Sequence, residues 1–116
     1  MSIIYEVNLR IEPAIQHEFM SWLYEHIGEM LKLEGFIRAV VYDPQEVEGL
    51  LAEEKSDIML EQTRQVVVHY EMHDKIALKY YLEHYAQSMR ADGIAKFPKQ
   101  FSATRRVLNP LNSFKD

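Results

Sequence analysis

Tyr5-Glu6-Val7-Asn8-Leu9-Arg10-Ile11-Glu12-Pro13-Ala14-Ile15 changes its period at Pro13, and that change sets the fold class. Before the proline, apolar and polar residues alternate: Tyr5, Val7, Leu9 and Ile11 against Glu6, Asn8 and Arg10. Period 2 with β-branched and aromatic residues reads as a strand with one buried face. Proline suits the first position of a helix, where an N–H has no partner anyway. After it, Ile15, Phe19, Trp22, Leu23, Ile27, Met30 and Leu31 recur at spacings of mainly three and four, so a helix is expected from Pro13 to about Leu33. Glu34-Gly35 ends it, glycine being suited to the left-handed conformation that closes helices.

Working outward, Phe36 to about Tyr42 reads as a second strand closed by Asp43-Pro44, and Thr63 to Glu71 as a third with Val66, Val68 and Tyr70 on its buried side. Asp74 is a candidate N-cap. The second helix is expected to run to about Arg90, with Leu78, Tyr81, Leu82, Tyr85 and Met89 on its apolar side and Ala91-Asp92-Gly93 breaking it. Phe101 to Leu108 supplies a fourth strand before Asn109-Pro110. The order β-α-β-β-α-β predicts an α+β, ferredoxin-like domain spanning 1–116: a four-stranded antiparallel sheet with two helices on one face.

Two helices cover one face of such a sheet. The other is expected to show Glu6, Asn8 and Arg10, then Arg38, Val40 and Tyr42, then Gln65, Val67 and His69. Val40, Tyr42 and Val67 make that face apolar enough to favour a partner, and two-fold homodimers are the commonest oligomers. Packed face to face, two sheets would form a dimeric α/β barrel.

The chain has 116 residues, no cysteine and a formal charge of −5. Disulfides and cysteine-based metal sites are excluded. No apolar run reaches the roughly 18 residues of a membrane span, and the N-terminus has no leader pattern, so a cytoplasmic protein is expected. The charge is localised. Residues 44–62 hold six acids and one base and read as an acidic loop with a short helical turn near Gly49. Residues 75–116 hold eight bases and three acids. Nucleic-acid binding needs a basic surface, and a few scattered basic residues argue against it. Phosphate loops, dinucleotide glycine motifs and the Gly-x-Ser-x-Gly elbow are missing.

Trp22 and His26 stand four residues apart and share a helix face, as do Tyr80 and His84. If the helices lie side by side, His26 and His84 meet in one cleft as candidate proton-transfer groups, and Trp22 and Tyr81 are the aromatic walls for a flat ligand. The alternative is that both histidines make structural hydrogen bonds and the aromatics are core. On the dimer-facing side Glu6, Arg10, Arg38 and Arg105 offer either an anion-binding lining or an ion-pair network that sets the register of two sheets. His69 and His73 are too poorly supported for a metal site, and neither a metal nor a cofactor is expected.

Trp22-Leu23-Tyr24-Glu25-His26-Ile27-Gly28-Glu29-Met30-Leu31 followed by Gly35-Phe36 resembles the first helix and turn of dimeric α/β-barrel proteins. Ile3-Ile4-Tyr5-Glu6-Val7, Tyr81-Leu82-Glu83-His84-Tyr85-Ala86, Met89-Arg90, Phe97, Phe101 and Arg105 extend the likeness over nearly the whole chain, apart from 44–62 and the tail. As a whole the chain resembles a bacterial family known as domain of unknown function 4286. That resemblance implies the fold and a homodimer but no reaction. Wider relatives of the fold include monooxygenases, isomerases and haem-degrading enzymes, and function does not travel with fold. Two roles are therefore expected to compete: a small-ligand-binding or interaction module, and a cofactor-independent enzyme acting on a small aromatic or carbonyl compound.

Overall fold

Strand β1 (Ile3–Ile11) is the centre of the molecule. In the computed structural model, which describes residues 2–50 and 63–115, it pairs antiparallel with β3 (Arg64–Met72) on one side and β4 (Phe101–Leu108) on the other. Strand β2 (Phe36–Tyr42) lies outside β3, giving the order β2-β3-β1-β4. The alternation of β1 sends Ile3, Tyr5, Val7, Leu9 and Ile11 inward, and all five are buried. Their register partners Val66, Val68, Tyr70 and Met72 continue that face across β3.

Helix α1 (Gln16–Met30) follows a single 3-10 turn, Pro13–Ile15, that proline's fixed φ favours. Phe19, Leu23, Ile27 and Met30 lie against the sheet, with Phe19 completely enclosed. Gly35 has φ +95°, and a Cβ there would lie 2.7 Å from the Ala77 Cβ, so turn conformation and close packing both require glycine. In β2 the register slips at Ile37, so Phe36 faces the helices while Arg38 turns to the far side opposite Glu71. The acidic connection contains the short helix α2 (Val47–Leu50); the rest of the expected loop, 51–62, lies outside the described residues.

The second helical segment differs from expectation. Asp74 does cap α3 (Lys75–His84), its Oδ1 accepting from the Ala77 N–H at 2.8 Å. The break, however, comes at Tyr85 (φ −125°, ψ −28°), and α4 (Ala86–Lys96) runs straight through Ala91-Asp92-Gly93. The change of direction re-phases the helix. Leu78 and Tyr81 are buried as expected, but Leu82 and Tyr85 are exposed, and beyond the break Ala86, Gly93 and then Phe97 make the buried contacts. Leu31 likewise sits outside the core. Gly93 is kept small by packing rather than by helix termination.

Candidate functional site

A cavity of 420 Å³ lies between α1, the α3–α4 pair and the β1–β4 side of the sheet. Three tyrosines form one wall. Tyr5 projects from β1, Tyr70 from β3 and Tyr81 from α3, with the Tyr5 ring centroid 6.0 Å from Tyr70 and 5.9 Å from Tyr81. Strand parity and the register Tyr5↔Tyr70 bring the first two together. Opposite them stand Trp22, Phe97 and Phe101. Burial pushes the Tyr81 hydroxyl up to about 12 and the Tyr70 hydroxyl higher still, so both remain protonated donors. The Tyr5 hydroxyl accepts from Arg90 Nη2 at 3.0 Å.

Trp22 is fixed from two sides. Its Nε1 donates to Asp92 Oδ2 at 2.7 Å, and its ring edge fills the space left by Gly93. His26 stacks on the indole, centroids 4.7 Å apart and planes within 18°. Burial lowers the His26 pKa below the ordinary imidazole value, with Asp92 opposing and Arg105 reinforcing that shift. The imidazole is therefore neutral at pH 7, able to accept a proton from a group in the cavity. Behind the Trp22–His26 pair is a second groove of 300 Å³ bearing Glu25, Glu29 and Asp92.

Of the residues singled out in the sequence, Trp22, His26, Tyr81 and Arg105 come together in the cavity. His84 does not join them. It is exposed at the end of α3, its ring tilted against Tyr80 with centroids 4.1 Å apart, because α3 turns Leu78 and Tyr81 inward and leaves the face shared by Tyr80 and His84 outside. The expected His26–His84 pair is thereby replaced by His26 alone. Arg38 also lies elsewhere, on the open sheet face beside Glu71 at 3.4 Å. Arg105 was expected on that open face, and the register corrects this: it stands opposite Val7, on the helix side, and its neighbour Arg106 takes the place opposite Glu6. Arg90, Lys99, Tyr5 and Tyr70 complete the cavity. The tyrosines were legible from parity as buried residues. Arg90 reaches the site only because of the break at Tyr85.

On the open face, Glu6 is 4% exposed and holds three neighbours. It accepts from Arg106 Nε at 2.6 Å and Asn8 Nδ2 at 2.8 Å, and its other oxygen meets His69 Nε2 at 2.7 Å. The Arg106 hydrogen bond, working against desolvation and helped by Asn8 and His69, holds the Glu6 carboxyl at about 2. Tyr42 packs its ring edge on His69 at 4.9 Å. This is an internally paired cluster, the arrangement expected of an ion-pair network more than of a vacant anion site.

The fold recurs in solved structures. SnoaB, a cofactor-independent oxygenase from Streptomyces nogalater, superposes with a TM-score of 0.64 over 99% of this chain and 98% of its own at 12% identity. A monooxygenase of Streptomyces coelicolor in complex with nanaomycin D gives 0.61 over 99% and 92% at 13% identity. A dimeric ferredoxin-like protein from an uncultured marine organism gives 0.68 over 97% and 98% at 8% identity. These likenesses establish the ferredoxin-like fold. No curated protein matches the chain. A family model covers residues 2–111, all four strands and the helices that frame the cavity, and by it the chain belongs to the family described as a domain of unknown function, DUF4286.

Proposed function

We propose that this protein is a single-domain, cytoplasmic small-ligand-binding module whose site is the cavity walled by Trp22, His26, Tyr81 and Arg105. The observation that carries this reading is the cavity itself. Its 420 Å³ falls within the roughly 300–1,000 Å³ of small-molecule sites, and it combines apolar walls with a few convergent polar groups. Ala103, inward-facing on β4 opposite Leu9, lines it and offers a clean test. A panel of bicyclic aromatic fragments is expected to shift the indole N–H resonance of Trp22 in the natural protein and to lose that effect in Ala103→Trp, which fills the space. A panel that leaves Trp22 unmoved in the natural protein overturns the reading.

The open sheet face supports a homodimer. Val40, Tyr42 and Val67 surround the paired Glu6–His69–Arg106 cluster, and a second copy is the occupant that the dimeric relative exemplifies. Val67→Arg is expected to convert a two-chain mass to a one-chain mass in light scattering. Nucleic acid is not a partner in this reading, because basic residues are few and three of them, Arg90, Lys99 and Arg105, converge on the cavity.

A second reading, cofactor-independent oxygenation, is favoured by one observation: the neutral His26 at the cavity wall, placed to take a proton from a bound phenol. Two structural relatives are oxygenases by name. Oxygen uptake with 1,4-dihydroxynaphthalene, abolished in His26→Gln, would support it; uptake equal to the buffer rate would leave binding as the function.

A further inference from the structure

The cavity is chemically one-sided. Arg90, Lys99 and Arg105 line it, and among the described residues no aspartate or glutamate does, in a chain whose net charge is −5. The nearby carboxylate of Asp92 is engaged by the Trp22 indole and belongs to the groove behind. The hydrogen-bonding inventory is just as unbalanced. Arg90 Nε is buried and has no partner among the described residues, while its Nη2 is used on Tyr5. A buried unpaired donor on a cation calls for an acceptor. Tyr5, having accepted from Arg90, keeps its own proton to donate. Tyr70 and Tyr81 present two further hydroxyls, for which no hydrogen bond exists among the described residues. Arg105 acts electrostatically on Tyr70, Tyr81 and His26, so its charge is felt across the whole wall. A cationic guest would meet three like charges. A neutral apolar guest would leave Arg90 unsatisfied.

Resting on the cavity reading above, we propose that the ligand is an aromatic oxyanion: a planar ring system held among Trp22, Phe97 and Phe101, with a carboxylate or phenolate directed at Arg90 and Arg105 and supported by Lys99. The tyrosine hydroxyls donate to the same oxygens. Such a site accepts an anion in a protein of net charge −5 because the charges nearest the guest decide the interaction, and those that line the cavity are Arg90, Lys99 and Arg105.

The test uses the full chain with 1-naphthoate and its neutral analogue 1-naphthalenemethanol. Calorimetry gives affinity and the Trp22 indole N–H resonance reports location. Naphthoate is expected to move the Trp22 resonance and to bind about tenfold or more tighter than the alcohol, the range of one good charge-assisted hydrogen bond. Arg105→Gln, an exposed edge-strand position that folding tolerates, is expected to remove most of that preference. Lys99→Gln provides a second, independent reduction, and Lys79→Gln on the outside of α3 leaves the preference intact. Equal affinity for both probes, with Trp22 moved by each, overturns the oxyanion assignment and leaves the cavity reading standing. Tighter binding of the alcohol does the same. Failure of both probes to move Trp22 overturns the cavity reading and the assignment with it.

Discussion

Gly93→Ala is the sharpest perturbation this structure offers, because two known effects act in opposite directions. Alanine in a helix interior is favoured over glycine by about 1 kcal/mol, so an unobstructed site would gain stability. At Gly93 the new Cβ would sit 2.6 Å from Cη2, 2.8 Å from Cζ2 and 3.3 Å from Cζ3 of Trp22. The indole must withdraw until its nearest atom passes the 3.4 Å at which ordinary contact begins. The obstacle is a rigid ring, itself packed on Phe19 at 5.4 Å and Phe97 at 6.2 Å and tied to Asp92. Forcing a methyl into such packing costs roughly 1–3 kcal/mol, and losing a hydrogen bond to a carboxylate roughly 1.5–3 kcal/mol. Set against the helix gain, the expected net is a loss of about 1.5–5 kcal/mol, or on the order of 10 °C in Tm for a domain of this size. Thermal unfolding followed by circular dichroism measures it. Trp22 is the chain's single tryptophan, so its emission should redshift in the same variant. Gly28→Ala is the internal control: it is also helical, nothing lies within 4 Å of its Cβ position, and a gain of about 1 kcal/mol is expected. A Tm that rises for both variants, with unchanged Trp22 emission, would refute the packing of the indole on α4.

Other outcomes follow from the same geometry. Protonated imidazole quenches a stacked indole, so Trp22 emission should fall as pH drops, with a midpoint below 6.5 because burial holds the His26 pKa down; His26→Gln should abolish the titration. Since the unfolded chain binds that proton more readily, His26 also makes stability decline as pH falls below 6.5, a slope that urea titrations at pH 7 and 5.5 would resolve. Glu6, held at about 2 against an ordinary 4.5, contributes stability that is complete above 4.5 and lost as pH falls toward 2; Glu6→Gln should flatten that acid limb in a Tm–pH series. Asp74→Ala removes the α3 cap and should cost about 1 kcal/mol in chemical denaturation, with Asp74→Ser retaining most of the stability.

Most of the architecture was legible in local pattern. Alternation in β1 located its buried face residue by residue, and β2, β3 and β4 fall within a residue of their expected limits, because one buried face constrains a period-2 segment strongly. The 3.6-residue stripe from Phe19 to Met30 did the same for α1. Asp74 and Gly35 marked their helix ends by chemistry that acts over three residues. The site was only partly legible. Trp22 and His26 could be paired from spacing, since a single helix turn brings them into contact.

What only the tertiary structure decided depends on relations between segments far apart in the chain. The β1–β4 register, not the strand pattern of β4 itself, put Arg105 in the cavity and Arg106 on Glu6. The phase of α3 left His84 outside the site, and a change of direction at Tyr85 brought Arg90 into it, the latter an effect invisible to a periodicity that assumes one continuous helix. Gly93 reads as a helix breaker in sequence and proves to be the hollow that receives Trp22, 71 residues earlier. Local propensity depends on near neighbours and is written in the sequence; a cavity is the space several elements leave between them, so its lining exists only once they have packed.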